Sequence, residues 1–132
     1  MNKVMDYARR FFERSVWADH VTLNEAGVAA ALESLQGNPN AYLEINDAGA
    51  IGGMLSPLWF SPEVVIASEL FWYSEQSGEG VKLRERFEAW AKDRGARYVQ
   101  MSAMANEHEA RIRRTLGEQG YSAKEIGFIK EL

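Results

Sequence analysis

A short polar loop in this chain joins an apolar segment to a segment whose apolar residues recur at helical spacing. Residues 69–83 read Glu-Leu-Phe-Trp-Tyr-Ser-Glu-Gln-Ser-Gly-Glu-Gly-Val-Lys-Leu, and Leu83 and Phe87 then continue at helical spacing. A strand, a glycine loop and a helix in this order aim the free N–H groups of a helix N-terminus at one point, which attracts an anion. The segment therefore predicts a phosphate-bearing ligand, although two carboxylates of the loop, Glu75 and Glu79, have the wrong charge for one.

The composition predicts one globular domain over residues 1–132. The chain is 46% hydrophobic and 26% charged, which is enough apolar material for a core in 132 residues. A formal net charge of −4 argues against a general nucleic-acid binder, because such proteins must neutralise phosphates. The absence of cysteine excludes disulfides, thiolate zinc sites and a cysteine nucleophile.

The sequence also argues against a membrane or secreted location and against a metal site. No apolar run approaches the roughly 20 residues that a membrane-spanning helix needs, and the first ten residues lack a signal-peptide segment. We therefore expect a cytoplasmic protein without a membrane partner. The two histidines, His20 and His108, stand in no metal-ligand spacing, so no metal site is predicted.

Periodicity predicts a mixed α/β (α+β) fold with the element order α-α-β-β-β-α-β-α-β. Thr22 and Glu25 form a capping-box pattern, which predicts that Thr22 caps the second helix. The predicted helices cover residues 4–14, 22–37, 81–94 and 106–119, and the predicted strands cover residues 41–46, 50–55, 64–73, 97–102 and 126–130.

A glycine pair and an aromatic pair add local detail to this predicted fold. Gly52 and Gly53 lie inside a predicted strand, where paired glycines indicate a β-bulge or a close approach of the backbone to another group. Trp59 and Phe60 lie in a predicted connecting loop, residues 57–62. If exposed, they would form a substrate lid or a contact in a homodimer; if buried, they would cover the sheet.

Taken together, these segments resemble the GNAT superfamily of N-acetyltransferases. Residues 69–83 resemble its motif A, whose loop reads Gln/Arg-x-x-Gly-x-Gly/Ala, and residues 87–96 resemble the helix that follows. The pair Gly120-Tyr121 is similar to the Gly-Phe/Tyr ending, and the helix-first start is similar to small phage and prophage members. The resemblance implies a mixed, mostly antiparallel sheet flanked by helices, with a V-shaped opening between its central strands.

The resemblance also implies acetyl-CoA as cosubstrate and a site for it. The backbone of residues 71–73 would pair with the pantetheine amides, the N–H groups of residues 77–81 would hold the pyrophosphate, and Lys82 would add a positive charge. Asn106 would contact the pantetheine arm or cap the helix that it precedes. The implied cofactor-binding set is Phe71, Trp72, Tyr73, Gln76, Ser77, Gly78, Glu79, Gly80, Val81, Lys82 and Asn106.

The catalytic residues implied by the resemblance are Glu69 and Tyr73. Glu69, near the opening, would take a proton from the attacking amine, or would instead form a salt bridge at the sheet edge. The position of the family's tyrosine acid holds Leu116, so Tyr73 or water would protonate the leaving thiolate. The family's Gln/Arg position holds Glu75, with Gln76 one place away.

The sequence thus predicts an acetyl-CoA-dependent N-acetyltransferase that moves the acetyl group directly to a primary amine. The acceptor would be a small molecule or the amine of a lysine or a protein N-terminus, and the acidic residues around Glu69 favour a cationic one. The alternative is a GNAT-fold protein with weak or no catalysis that acts as a protein-binding module. A third reading is an assembly role, with dimerisation through Trp59 and Phe60.

Overall fold

The computed structural model describes residues 2–132, which divide into two compact units that meet between Ser102 and Ala103. No helix in this described part is long and apolar enough to cross a membrane. The helices are α1 (Asn2–Glu13), α2 (Glu25–Gly37), α3 (Glu79–Asp93) and α4 (Glu109–Glu118), and the strands are β1 (Ala41–Ile45), β2 (Gly49–Leu58), β3 (Ser61–Ser74) and β4 (Tyr98–Gln100).

The first unit contains a four-stranded sheet of order β1-β2-β3-β4. Strands β1, β2 and β3 pair antiparallel, and β4 pairs parallel with β3 over three positions, from Ile66 opposite Tyr98 to Ser68 opposite Gln100. Beyond Ser68, β3 continues to Ser74 without β4 beside it. This mixed, mostly antiparallel sheet flanked by helices confirms the predicted fold class, and the opening lies between β3 and the edge strand β4.

Helices α3 and α1 cover opposite faces of this sheet. On one face Leu83, Phe87 and Ala91 of α3 pack against Ile51 and Ala67, and all five are fully buried. On the other face, the aromatic side chains of α1 pack against residues of β2 and β3 (Tyr7 and Phe11 against Ala50, Phe71 and Tyr73). The strands β2 and β3 therefore bury side chains on both faces of the sheet.

The glycine pair of β2 lies beside a bulge in β3, as its sequence indicates. Gly52 pairs with Phe71 and Gly53 pairs with Glu69, so Leu70 is an extra residue in β3. Both glycines are also crowded: an added Cβ would lie 2.6 Å from the Phe71 ring at Gly52 and 2.5 Å from the Phe87 ring at Gly53. The glycine pair predicted a bulge or a close approach, and the structure has both, with the bulge in the facing strand β3.

Two predictions about element ends are wrong. Asn24, not Thr22, caps α2: its Oδ1 accepts the Gly27 N–H at 2.9 Å, and the helix begins at Glu25. The predicted loop 57–62 is mostly strand, because only Trp59 and Phe60 lie outside β2 and β3. Pro57 is tolerated in β2 because β1 pairs only as far as Met54, which leaves that edge of β2 without a partner.

The predicted final strand over residues 126–130 is also wrong. The unit Ala103–Leu132 contains α4 and no strand among its described residues. A strand is stabilised by hydrogen bonds to a neighbouring strand, and this unit supplies none. The expectation of a single domain over residues 1–132 stays a prediction.

We expect Gly53→Ala to destabilise the protein by about 1–3 kcal/mol, because the new methyl group would overlap the fully buried Phe87 ring. Gly37→Ala is the matched control, since an added Cβ there meets nothing within 4 Å. Chemical denaturation of both variants measures the difference, and equal stabilities would contradict the described packing.

Candidate functional site

The site begins where β3 and β4 separate. The β3 backbone from Glu69 to Ser74 pairs with β2 on one side and has no strand on the other, since β4 pairing ends at Ser68. Leu70, the extra residue at the bulge, is left out of the β2 ladder as well. Unpaired N–H and C=O groups on a strand edge are a template for an extended ligand that carries amides.

Glu69 lies at the start of this opening. Its pairing with Gly53 places it on the face that α3 covers, and its Oε1 accepts the backbone N–H of Ser102 at 2.9 Å. Burial raises the pKa of the Glu69 carboxyl to about 7, against an opposing effect of hydrogen bonds from Ser102. Near neutral pH the carboxyl therefore exists in both protonation states, which suits a group that accepts and releases a proton.

The far end of the opening leads into the N-terminus of α3. Gly78 precedes the helix with a φ of +80°, which glycine adopts readily, and no side chain caps the helix. The N–H groups of Gly80 and Val81 belong to the first turn, which has no acceptors within its own helix. Two side chains fix this loop on β3: Trp72 Nε1 donates to the Gly80 carbonyl at 2.9 Å, and Ser74 Oγ donates to the Gln76 carbonyl at 2.9 Å.

The two carboxylates of the loop are both engaged by neighbouring groups. Glu75 forms an ion pair with Arg10 of α1 and accepts the Tyr73 hydroxyl at 2.7 Å; the Tyr73 bond is the main cause of its lowered pKa. Glu79 pairs with Lys82 one turn along α3, at 3.1 Å. These contacts neutralise part of the negative charge that the sequence places beside the helix N-terminus.

The structure separates the two predicted catalytic side chains. Tyr73 is buried against Tyr7 and Phe11 on the α1 face, whereas Glu69 lies on the α3 face. The Tyr73 hydroxyl donates to Glu75 and accepts from Arg14 Nη1 at 3.3 Å, and burial is the main cause of its raised pKa. Tyr73 is therefore held by structural contacts rather than directed toward Glu69.

The remaining predicted residues divide between the two units. Residues 71–73 and 76–82 lie on one continuous stretch, from the opening through the loop to α3. Asn106 belongs to the unit Ala103–Leu132, where its Oδ1 accepts the His108 N–H at 2.9 Å and its carbonyl accepts the Glu109 N–H. It thus shapes the start of α4, and its contact with a cofactor stays a prediction.

Sequence reasoning missed three contributors to this site. Arg10 is 65 positions from its partner Glu75, Trp72 contributes through its indole rather than through its backbone, and Ser102 reaches Glu69 from the segment after β4. Nothing in the sequence pattern indicates the Arg10 or Ser102 contacts. The indole contact had a local signal, since Trp72 and Gly80 flank the same short loop.

No protein-family model matches the chain, and no curated protein sequence matches it. Solved structures match it over nearly its full length. An aminoglycoside antibiotic 6′-N-acetyltransferase from Acinetobacter haemolyticus is 15% identical with a TM-score of 0.67, over 99% of this chain and 92% of that one. A glucosamine-6-phosphate N-acetyltransferase from Arabidopsis thaliana is 14% identical with a TM-score of 0.64, over 96% and 92%.

A transcriptional regulator from Bacillus halodurans has the same fold, with 13% identity, a TM-score of 0.73, and coverage of 99% of this chain and 94% of that one. At such identities the likeness shows the fold alone, which is the GNAT-like fold that the sequence resembles. Because one fold can carry several functions, the function has to be argued from the site itself.

We expect Glu69 and Glu75 to affect stability with opposite pH dependence. The native-state pKa of Glu69 lies above its ordinary value of 4.5, so its burial costs stability as the pH rises from about 4.5 to about 7. Glu69→Gln should therefore stabilise the protein at about pH 8, by roughly 1–3 kcal/mol, and have little effect near pH 4.5.

Glu75→Gln is the matched comparison, because the native pKa of Glu75 is lowered instead. Its contribution is present above the ordinary pKa and is lost as the pH falls below it, so this variant should be destabilised at about pH 8 only. Thermal melts of both variants across pH test these signs, and parallel pH curves would contradict the environments described.

Proposed function

We propose that this chain is an acetyl-CoA-dependent N-acetyltransferase that transfers the acetyl group directly to a primary amine. One observation carries the proposal: the unpaired edge of β3 starts at the carboxyl of Glu69 and ends at the N-terminus of α3, which no side chain caps. An extended, amide-containing ligand with phosphates at one end and a reactive group at the other fits both ends of this path.

The residues present fit acetyl-CoA along its length. The β3 backbone at residues 71–73 supplies N–H and C=O groups for the pantetheine amides, and the first turn of α3 supplies N–H groups for the pyrophosphate. Lys82 has a side chain that is 62% exposed and carries its ammonium close to this turn. Bound acetyl-CoA supplies an activated thioester.

Glu69 accepts the proton that the acceptor ammonium must lose before its nitrogen can attack. A carboxyl with a pKa of about 7 is charged often enough to take this proton at neutral pH and basic enough to hold it. A backbone N–H at the bulge, near Phe71, polarises the acetyl carbonyl in this scheme. Water, or Tyr73 after a rearrangement of its contacts, returns a proton to the thiolate.

The acceptor class in this proposal is a primary amine, of a small molecule or of a polypeptide. The predicted preference for a cationic acceptor depended partly on Glu75 and Glu79, and both have cationic partners. The preference therefore depends mainly on Glu69. The acetyltransferases of the same fold act on glucosamine-6-phosphate and on aminoglycosides, which supports small amines as the first acceptors to screen.

We expect Lys82→Ala to weaken acetyl-CoA binding about three- to tenfold, because it removes a cation near the phosphates and leaves Glu79 without its ion pair. Lys92→Ala is the control, since Lys92 lies in the last turn of the same helix. Calorimetry should show weaker binding for Lys82→Ala only. With acetyl-pantetheine, which lacks the phosphates, the two variants should behave alike.

Two outcomes of this experiment would count against the proposal. If Lys82→Ala and Lys92→Ala bound acetyl-CoA equally well, the phosphates would lie away from the start of α3. If the unmodified protein bound no acetyl-CoA, the second candidate, a protein-binding module, would remain. The exposed hairpin tip favours that candidate: Trp59 is 87% exposed and Phe60 is 92% exposed.

We expect Glu69→Gln to lower the acetylation rate by roughly 10²- to 10⁴-fold, the usual range for loss of a general base. Glutamine keeps an oxygen for the Ser102 N–H, so the geometry is preserved while the basicity is lost. Glu63→Gln is the control, because Glu63 is near the hairpin tip and accepts a hydrogen bond from Ser61 only locally. Unchanged rates in Glu69→Gln would remove Glu69 from the mechanism.

A further inference from the structure

A polar pair of side chains, Ser68 and Gln100, joins β3 to β4 where the opening begins. The two residues are the last partners in the register of these strands, and the Ser68 hydroxyl donates to Gln100 Oε1 in a long hydrogen bond of 3.4 Å. The preceding residues, Ala67 and Val99, pack in the core beneath α3. Because successive side chains of a strand point to opposite faces, the polar pair lies on the face that α3 does not cover.

An aromatic ring lies next to this pair on the same face of the sheet. Tyr98 precedes Gln100 by two positions on β4, about 6.6 Å at the usual rise per residue, so the two side chains share a face. Tyr98 is 50% exposed, although the Arg97 guanidinium lies 5.5 Å from its ring centroid. Ser68, Tyr98 and Gln100 thus form one surface, with an open ring beside an uncharged polar pair.

We propose that Ser68, Tyr98 and Gln100 bind the acceptor, and that the acceptor is a ring-shaped amine with several hydroxyl groups, the chemistry of an amino sugar. This inference rests on the acetyl transfer proposed above and names the acceptor class of that site. A serine hydroxyl and a glutamine amide both donate and accept hydrogen bonds, as sugar hydroxyls do. The Tyr98 ring offers an apolar surface to the C–H groups on the face of a sugar ring.

The covering of the sheet directs the acceptor to this surface. Helix α3 covers the face on which Glu69 lies, where the Phe87 ring is packed against the site of Gly53, the partner of Glu69 on β2. In the proposed function, acetyl-CoA occupies the free edge of β3 beyond Ser68. An acceptor therefore approaches the Glu69 carboxyl from the opposite face, and helix α1 packs further along that face, beyond the bulge.

The polar pair favours hydroxyl groups over a second ammonium. Ser68 and Gln100 carry no charge, so they offer no counter-ion to the second cation of a polyamine. Each can instead donate to one hydroxyl and accept from another. Their mutual bond is long, so contacts with a ligand replace a weak interaction rather than a strong one.

The test compares two amines with six-membered rings in the presence of acetyl-CoA. Glucosamine carries hydroxyl groups, and cyclohexylamine lacks them. Gln100→Ala removes the polar side chain, Tyr98→Ala removes the ring, and Gln36→Ala is the control, because Gln36 is an exposed glutamine of α2. Release of the coenzyme A thiol gives kcat/KM for each amine and the KM for acetyl-CoA.

We expect Gln100→Ala to lower kcat/KM for glucosamine about three- to tenfold, the size expected for the loss of a neutral hydrogen bond. The value for cyclohexylamine should be unchanged in this variant, because that amine has no hydroxyl for the side chain. Tyr98→Ala should lower the values for both amines, since both rings have C–H faces. The KM for acetyl-CoA should stay constant, and Gln36→Ala should match the unmodified protein.

A binding measurement that needs no turnover accompanies the kinetics. Nitrogen-15 NMR of the Gln100 side-chain amide, assigned with Gln100→Ala, should show saturable shifts with glucosamine and none with cyclohexylamine. The titration is carried out with and without coenzyme A. Absence of these shifts in both titrations would overturn the acceptor assignment, whether or not any amine is acetylated.

The outcomes separate this inference from the proposed function. If glucosamine is acetylated but Gln100→Ala leaves its kcat/KM unchanged, or lowers the values for both amines equally, the acceptor assignment is wrong and the transferase stands. If glucosamine shifts the Gln100 amide but no amine is acetylated, the surface binds hydroxylated amines and the proposed transfer has failed.

Discussion

The site depends on one constraint, the loss of backbone pairing between β3 and β4 after Ser68. A strand in the middle of a sheet normally satisfies its N–H and C=O groups on both sides. Here residues 69–74 of β3 have no strand on one side, and five of them pair with β2 on the other. The parallel pairing before the opening and the packing of α3 fix the position of β3 in the sheet.

Charge along this edge is arranged so that an anion can approach one end. In the sequence, Glu75 and Glu79 crowd the loop, and a helix N-terminus with two free carboxylates would repel phosphate. In the structure, Glu75 turns toward Arg10 and Tyr73, and Glu79 lies along α3 toward Lys82. Glu69 keeps no cationic partner among the described residues that affects its pKa, and its basicity follows from burial.

Sequence periodicity could predict most of the fold because helices and paired strands are set by local apolar spacing. All four helices and the first four strands lie within a few residues of their predicted positions. The extent of the predicted loop 57–62 and the strand predicted at 126–130 were wrong because pairing partners, not propensity, decide where a strand ends. Contacts such as Arg10 with Glu75 join distant positions and leave no local pattern.

The predicted catalytic pair, Glu69 and Tyr73, shows most clearly what sequence periodicity cannot predict. Residues 69 and 73 are four apart, so an ideal strand would place both side chains on one face. The bulge at Leu70 adds one residue, and the alternation reverses between Glu69 and Tyr73. The glycine pair Gly52-Gly53 did indicate a bulge, but its position relative to Glu69 depended on the register between β2 and β3.

In the proposed function, the free edge of β3 and the start of α3 form one binding path for acetyl-CoA. Backbone amide NMR during an acetyl-CoA titration locates this path residue by residue. The largest shifts should occur together, at residues 69–73 and 78–82, with small shifts in β1 and at the hairpin tip. Shifts confined to Trp59 and Phe60, or no saturable shifts at all, would contradict it.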